Sequence, residues 1–413
     1  MNGSKAARNR LPGLWRHRDY MLVWAGQTVS ALGSSVSGLA FPLLILGLTH
    51  SPAQAGIAGA LRALPYVFLS LPAGALVDRM NLKAVMICCD AGRVAALASV
   101  PATIWTGHLS VINLYVATAV EGTLFVFYNI ASFAALPYLV PQRYLPAATA
   151  QNEASYYASA GLLGSTLGGA LYQLGRALPF VLDALSYCAS VASLFIVRTR
   201  LRRAVEVDTR HHLVVEIGDG LRWMWHQPVI RAMSALYGGD ALVSPGLPLT
   251  LIVLAQHKHA SPSAIGLIFS IAGVGGIAGA AIAGRVPNYL SFGQTMVGAR
   301  WVMAGFWALY LVAPNPLALG MITAGIFFLN PVSNVVGISY SIPLTPETMR
   351  GRIASVFQLI PSAAAPLGLA LTGFVLQTVG ATATVLIAFA YLSVLAAGIT
   401  LSASVRHAPP LPS

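Results

Sequence analysis

Residues 74–83, GALVDRMNLK, place one aspartate and two cations between two long apolar segments. These segments, near 54–77 and 84–106, are each roughly 20 residues long, which at about 1.5 Å per residue spans a hydrocarbon core of about 30 Å. Asp78, Arg79 and Lys83 therefore belong to a short polar loop between two predicted membrane helices.

The composition of the whole chain agrees with that interpretation. Of 413 residues, 56% are hydrophobic and 9% are charged, and the mean hydropathy is +0.72. Soluble domains carry about 25% charged residues. The basic N-terminus leads directly into an apolar segment without a small-residue cleavage site, so we expect a retained first helix rather than a signal peptide. The fold class predicted is all-α integral membrane.

Proline, glycine and charged residues divide the chain into twelve apolar segments, six on each side of a polar connector. We predict an N-terminal six-helix bundle at 1–197, a connector at 198–228 and a C-terminal six-helix bundle at 229–413. Within the connector, apolar residues recur at helical spacing from Leu213 to Trp225, which indicates an interfacial amphipathic helix or a solvated linker. The predicted segments lie near 20–48, 54–77, 84–106, 110–136, 148–174, 178–197, 229–256, 262–286, 293–313, 316–341, 353–378 and 381–403.

The basic residues define an orientation. The formal net charge is +12, and nearly all lysines and arginines fall in alternate loops, whereas the other set of loops holds only Arg176 and Lys258. The positive-inside rule then places both termini in the cytoplasm of a prokaryotic cell. Anionic lipid head groups account for this charge, so membrane lipids are expected partners and nucleic acid is not.

The two predicted bundles share sequence features. Gly122 and Asn129 in the first resemble Gly325 and Asn334 in the second, and GALYQLG from Gly169 resembles GFVLQTVG from residue 373. Both matches are offset by about two hundred residues. Duplicated bundles with a substrate site between them at the bilayer midplane are typical of secondary transporters.

The loop motif, which we define as Gly74, Asp78, Arg79 and Lys83, resembles the signature loop of the major facilitator superfamily, although Asn81 and Leu82 replace its later glycine and arginine. Residues 14–33, 135–153, 179–194, 216–233 and 346–356 resemble the branch containing macrolide-type and siderophore-type exporters. The resemblance implies two pseudo-symmetric bundles, alternating access, no cofactor and function as a monomer. The segment PETMRGRIASV supplies the second cytoplasmic loop motif, Arg350, Gly351 and Arg352.

A glycine-rich stretch in the fifth segment is similar to the antiporter motif of proton-coupled exporters. It comprises Gly161, Gly164, Ser165, Gly168 and Gly169, with Ser165 at the usual position of a proline. Small residues let helices approach closely, which would support export. Simple helix packing remains an alternative for these glycines.

Few acidic residues lie deep in the predicted helices. Glu121 and Asp240 each fall about 16 Å from the start of their segments, near the bilayer middle. A carboxylate at this depth is costly unless it is paired, protonated or facing water, so both are candidates for proton coupling. A hydrogen-bonded structural role is the alternative for each, and Arg62 or Arg93 is a possible partner for Glu121. Asp90 and Arg93, three residues apart, are expected to form a structural ion pair.

We expect a cavity with apolar, aromatic walls that suits a bulky amphipathic compound. The predicted function is export of a small hydrophobic or amphipathic molecule, such as a drug, natural product or siderophore, in exchange for protons. An uncoupled facilitator or importer is the main alternative, and a receptor or scaffold without transport is a further one. The aromatic candidates for the cavity wall are Tyr128, Tyr156, Tyr157, Trp223, Tyr237, Phe327 and Phe328.

Enzymatic function is disfavoured by the motifs. The sequence contains neither a phosphate-binding loop nor a nucleophile motif. Cys88, Cys89 and Cys188 lie within apolar segments and are expected to be free thiols, not metal ligands. His257 and His259 flank Lys258 in a loop and are interpreted as solvated, so no metal site is predicted.

Overall fold

The computed structural model describes residues 13–199, 201, 222–344 and 350–406, and helices make up nearly all of this part of the chain. The predicted amphipathic helix of the connector lies almost wholly outside the described residues. The helices are α1 (Arg18–Thr49), α2 (Pro52–Val77), α3 (Leu82–Trp105), α4 (Val111–Leu139), α5 (Leu145–Tyr157), α6 (Ser165–Leu174), α7 (Leu178–Ile196), α8 (Pro228–Asp240), α9 (Leu247–His257), α10 (Pro262–Ala283), α11 (Phe292–Leu309), α12 (Pro316–Leu344), α13 (Arg350–Leu401) and α14 (Ala403–Arg406).

Within those ranges, nine helical segments are long and apolar enough to cross a membrane. Helices α8 and α9 form one of them, Pro228–His257. A π-helical turn, Ala158–Gly164, joins α5 to α6. Gly380 adopts φ 81° inside α13 and divides it into two rods, a conformation that glycine tolerates best. Counting α5–α6, α11 and both rods of α13, the described residues are consistent with the twelve predicted crossings.

Two helices that follow equivalent loops start in the same way. Ser51 caps α2 by accepting a hydrogen bond from a backbone N–H, and Pro52 is the first helical residue. Ser261 and Pro262 do the same for α10. Serine at the N-cap and proline at the next position satisfy free donors and pre-set the helical φ. The repeated Ser-Pro start identifies α2 and α10 as equivalent helices of the two bundles.

The bundle has two chemically different ends. We call the end with the loop motif, where α2 ends and α3 begins, the basic end, and the end with the α1–α2 and α9–α10 loops the opposite end. Each membrane-crossing segment runs from one end to the other, so successive segments run in opposite directions. The described residues carry Arg79, Arg143 and Arg285 at the basic end, and Arg176 and Lys258 at the opposite end.

The apolar core is continuous between the bundles at one end only. One cluster joins residues of both bundles, including Phe41, Leu44 and Phe180 from the first and Leu251 and Trp307 from the second. At the basic end, the first bundle has its own cluster around Tyr20 and Met86. The second bundle has another around Met296 and Tyr340. The bundles thus pack together toward the opposite end and stand apart at the basic end.

The outer surface is apolar. Ile112, Leu185, Phe195 and Phe374 are among the large side chains that lie exposed on the helix exteriors. A soluble protein rarely exposes so much apolar surface, whereas a bilayer solvates it favourably. This surface supports placement of the bundle in lipid.

Candidate functional site

A cavity of about 920 Å³ lies between the two bundles. Its walls come from α1–α7 of the first bundle and from α9, α10 and α13 of the second. At the basic end, Trp24, Leu136, Asn152 and Glu153 line it. The cavity therefore extends from the middle of the bundle to the basic end, where the two apolar clusters are separate.

One helix pair closes the opposite end through glycines. A Cβ atom on Gly56 of α2 would lie 2.6 Å from the Leu369 carbonyl oxygen and 2.8 Å from the Gly373 Cα of α13. A Cβ on Gly373 would lie 2.6 Å from the Pro52 carbonyl oxygen. Real Cβ atoms essentially never come this close to backbone, so only glycine fits on either side.

The pseudo-symmetric pair, α6 and α10, makes the same kind of contact. A Cβ on Gly169 would lie 3.1 Å from the Gly266 Cα and closer still to the Pro262 carbonyl oxygen. Thr166 and Ser270 hydrogen-bond beside this contact. Two glycine contacts, one on each flank, thus hold the opposite end shut while the basic end is open.

The predicted antiporter motif is divided between two interfaces. A Cβ on Gly168 would lie 2.7 Å from the Val36 carbonyl oxygen, and one on Gly164 would overlap Ser35, so these two glycines pack against α1 in the same bundle. Gly169 faces the second bundle, and Ser165 lines the cavity. Gly161 lies in the π-helical turn and its surroundings are outside the described residues.

Glu121 forms a buried ion pair that crosses from α4 to α2. The Arg62 guanidinium donates two hydrogen bonds to the carboxylate, one from Nε to Oε2 and one of 3.0 Å from Nη2 to Oε1. The Glu121 side chain is 3% exposed, and both residues line the cavity. Gly122 allows this geometry, because a Cβ there would overlap the Arg62 carbonyl oxygen. Two-point pairing fixes the carboxylate as well as neutralising it.

Asp240 also pairs with an arginine, in the second bundle. Arg300 Nη1 of α11 donates to Asp240 Oδ2 at the end of α8. Asp240 Oδ1 and Arg300 Nε have no partner among the described residues. Asp240 lines a smaller cavity of about 380 Å³, which shares Pro245, Ser362 and Ala365 with the large one. Both acids expected to couple protons are thus ion-paired beside connected cavities.

Arg93 and Asp90 form a second buried pair in the first bundle. Arg93 Nη1 lies 3.2 Å from Asp90 Oδ1, and both side chains are almost fully buried. The rings of Phe125, Tyr128 and Tyr187 lie 5.0–5.5 Å from the Arg93 guanidinium carbon. Arg93 also lines the cavity, so the pair contributes to its wall.

Lys83 of the loop motif contacts the end of another helix in its own bundle. Lys83 Nζ donates to the carbonyl oxygens of Phe195, at 3.3 Å, and Val197, at 2.7 Å, and so completes the C-terminus of α7. Asn81, where the family pattern has glycine, caps α3 by accepting hydrogen bonds from the backbone N–H groups of Lys83 and Ala84. Its capping role gives a physical reason for the departure from the pattern.

Gly74 of the loop motif lies in open surroundings. A Cβ on Gly74 would meet no atom of the described residues within 4 Å, so the close helix approach expected there is absent in this conformation. Asp78 immediately follows α2, with Arg79 beside it in the loop. The second loop motif, Arg350, Gly351 and Arg352, lies at the start of α13, and its side chains fall outside the described residues.

The aromatic wall differs from the expected set. Of the predicted residues, Tyr128 lines the large cavity and Tyr237 the smaller one, whereas Trp223, Phe327 and Phe328 line neither. The side chains of Tyr156 and Tyr157 lie outside the described residues. The other aromatic residues of the large cavity come from five helices, and they are Trp24, Phe41, Tyr66, Phe125, Phe133, Tyr187 and Phe269.

The sequence analysis also missed Gly266, which faces Gly169 of the antiporter motif, and Gly56, which faces Gly373. Gly56 and Gly266 each follow a Ser-Pro helix start by the same spacing, HSPAQAG from His50 and ASPSAIG from Ala260. That repeat is the sequence signal from which the two glycines could have been predicted. Within the described residues, no three His, Cys, Asp or Glu side chains come together as metal ligands.

Known proteins resemble this chain over most of its length. A family model described as "Transmembrane secretion effector" matches residues 13–409. The chain belongs to this family of the major facilitator superfamily. Multidrug efflux pump Tap of Mycolicibacterium fortuitum is 26% identical over 379 residues, covering 89% of this chain and 91% of the relative.

A second relative and a solved structure also resemble the chain over most of its length. Enterobactin exporter EntS of Citrobacter koseri is 24% identical over 371 residues, covering 86% of this chain and 85% of the relative. Among solved structures, a bacterial homologue of the iron transporter ferroportin in an inward-facing state has a TM-score of 0.71 at 16% identity, covering 95% of this chain and 99% of that structure. The structural likeness establishes the fold, and the family match establishes a transporter.

Proposed function

We propose that this transporter exports a small hydrophobic or amphipathic compound by alternating access. The observation that carries the proposal is the cavity of about 920 Å³, open at the basic end and closed at the opposite end by two glycine contacts. Ligand pockets of this size bury most of a drug-sized molecule. The relatives named as a drug efflux pump and a siderophore exporter support the same direction of transport.

The basic end is the cytoplasmic end in this proposal. Arg and Lys gather in the loops there, as the positive-inside rule requires, and anionic lipids would attract them. The transporter then lies in a prokaryotic cytoplasmic membrane with both termini inside, and the cavity faces the cytoplasm. The two bundles, 1–197 and 229–413, move as units about the connector 198–228, and one chain suffices.

Protons supply the driving force in this proposal, with Glu121 and Asp240 as the carriers. Each is paired to an arginine in the cavity-open conformation, Glu121 to Arg62 and Asp240 to Arg300. Protonation of the carboxyl would remove one charge of the pair and free the arginine, which would change the packing between helices. Such a switch would link proton uptake to rearrangement of the bundles.

The glycine contacts provide the moving part. Gly169 and Gly373 approach α10 and α2 through backbone alone, so few side chains must be repacked when the bundles separate there. The loop motif would engage the second bundle when the basic end closes.

The proposal is tested with purified protein in liposomes that contain a pH-sensitive dye. A panel of lipophilic cations, macrolides and siderophores is added under an imposed pH gradient, and proton flux is recorded. We expect one class of compound to elicit proton movement that is lost in Glu121→Gln or Asp240→Asn. The matched control is Asp19→Asn, which changes an acid at the basic end that does not line the cavity.

Two results would contradict parts of this proposal. Compound movement without proton movement would favour an uncoupled facilitator. In that alternative both acids stay paired with their arginines. The absence of any compound movement across the panel would refute export itself.

A further inference from the structure

A third buried acid in the first bundle lacks a cation. Asp183 lies in α7 and is 1% exposed. Its Oδ2 accepts a hydrogen bond from Ser37 Oγ, and its Oδ1 accepts one of 3.3 Å from Ser186 Oγ. Among the described residues, no lysine, arginine or histidine nitrogen lies within 4 Å of either oxygen. Its side-chain hydrogen bonds among the described residues all come from hydroxyl groups.

The charges of this bundle make Asp183 the surplus acid. Arg62, which is partly exposed to the cavity, pairs with Glu121, and the buried Arg93 pairs with Asp90, so both arginines are already matched. A further ionised carboxylate inside the bundle would be uncompensated, which is costly in a medium of low polarity. The cluster is neutral only when Asp183 carries a proton.

Two serines of α1 lie between Asp183 and the cavity. Ser37, which donates to the Asp183 carboxyl, also lies 3.2 Å from the Ser34 carbonyl oxygen. Ser34 Oγ is 2.8 Å from the hydroxyl of Tyr187, one helical turn after Asp183. Both Ser34 and Tyr187 line the large cavity. Gly33 leaves room for the carboxyl, because a Cβ there would lie 2.6 Å from Asp183 Oδ1.

The groups around Asp183 are few. Tyr187 lies on its own helix, Arg62 on α2 and Glu121 on α4 are the charged groups close enough to act on it, and α3 contributes the Asp90–Arg93 pair beyond Tyr187. Helix α1 faces it with serines and glycine. No member of this set other than Asp183 is an unpaired acid.

We infer that Asp183 holds a proton while the cavity is empty and releases it when a cationic, amphipathic compound binds. The positive charge of the compound would replace the proton as the neutralising charge, so one proton leaves for each monovalent cation bound. The inference rests on the proposed export function and names its substrate class. Glu153 at the cavity mouth and the aromatic walls, including Tyr66 and Phe125, suit a cation.

The first test needs no substrate. Infrared spectra of the purified wild-type protein at neutral pH should contain a carbonyl band of a buried protonated carboxyl group. The band should disappear in Asp183→Asn, which keeps the shape of the side chain, and should remain in Asp19→Asn, which changes an acid at the basic end outside this cluster. An unchanged band in Asp183→Asn would overturn the inference.

The second test measures exchange with tetraphenylphosphonium as the cationic probe and an uncharged lipophilic compound as its comparison. In weakly buffered solution, wild-type protein should release about one proton per bound probe cation, and binding should tighten about tenfold per pH unit where Asp183 would otherwise be protonated, since one proton is exchanged. Asp183→Asn should bind without proton release and without pH dependence.

The outcomes separate this inference from the function on which it rests. Proton release by Asp183→Asn equal to that of wild type would overturn the role of Asp183 and leave export intact. Binding of only the uncharged compound by wild type would overturn the cationic substrate class. If wild type binds and transports nothing in the panel, export and the exchange are both refuted, whereas the infrared band still decides the protonation of Asp183.

Discussion

Replacing Gly56 by alanine should shift the transporter away from the conformation described here. The added methyl group would lie 2.6 Å from the Leu369 carbonyl oxygen and 2.8 Å from the Gly373 Cα. Ordinary van der Waals contact starts near 3.4 Å, so α2 and α13 must separate by roughly 0.6–0.8 Å at this point. Backbone atoms lie on the far side of the contact, and no rotamer change can relieve it.

The energetic consequence falls on one conformation only. Overpacking of this kind costs about 1–3 kcal/mol. The cost applies when the opposite end is closed and vanishes when the two helices separate there. A penalty of about 1–3 kcal/mol on one state of a two-state equilibrium changes the population ratio about 5–150-fold.

The assay is a distance distribution between spin labels at His108→Cys and Pro314→Cys, exposed loop positions of the two bundles at the opposite end. The three native cysteines are first replaced by alanine. Gly56→Ala should raise the ratio of the longer-distance population to the shorter-distance population about 5–150-fold. The control is Gly305→Ala, which also gains helix propensity but whose Cβ would meet no described atom within 4 Å.

Equal distance distributions in Gly56→Ala and the control would refute the claim that the glycine contact closes the opposite end. A thermal-unfolding measurement would show whether Gly56→Ala shifts the conformation or instead prevents the protein from folding. Gly169→Ala, on the other flank, should then shift the distribution in the same direction.

Three further predictions concern stability, measured by thermal unfolding of the detergent-solubilised protein. Arg62→Met should lower stability by about 3–5 kcal/mol because it leaves Glu121 buried and unpaired, and adding Glu121→Gln should recover most of the loss; no recovery would contradict the ion-pair argument. Lys83→Ala should cost about 0.3–1 kcal/mol by uncapping α7, and Lys83→Arg should retain stability. Asp19→Ala should cost about 1–3 kcal/mol, since its carboxylate accepts three hydrogen bonds from the residues just after α7, including the Thr199 N–H at 2.8 Å; an effect as small as that of an exposed loop substitution would show these bonds to be dispensable.

The membrane fold was readable from local sequence because the bilayer imposes a local requirement. Each crossing must satisfy its own backbone hydrogen bonds, so a helix of about 20 apolar residues is required wherever the chain spans. The loop motif and the exporter-like segments then indicated the superfamily, and the family match bears this out.

The Asp90–Arg93 pair was readable from its spacing, but the partners of charged residues that lie far apart in the chain were not. Glu121 and Asp240 stood out by depth, but Arg62 lies 59 residues from one and Arg300 60 residues from the other. Nothing in the sequence indicated which buried arginine would meet which acid. Asp183 appeared unremarkable until the pairing of Arg62 and Arg93 elsewhere left it as the surplus acid.

The conformation was likewise a property of the assembled bundles. Ser-Pro helix starts and glycines are visible in both halves of the sequence, but whether Gly56 meets Gly373 depends on how the two bundles lean against each other. Hydrophobicity and backbone hydrogen bonding act within a helix, so the sequence by itself determined the helices and the superfamily, and it predicts an orientation from the basic loops. Ion pairing and close backbone contact act between helices far apart in the chain, so only the tertiary structure decided the cavity, its open end and the acid that lacks a cation.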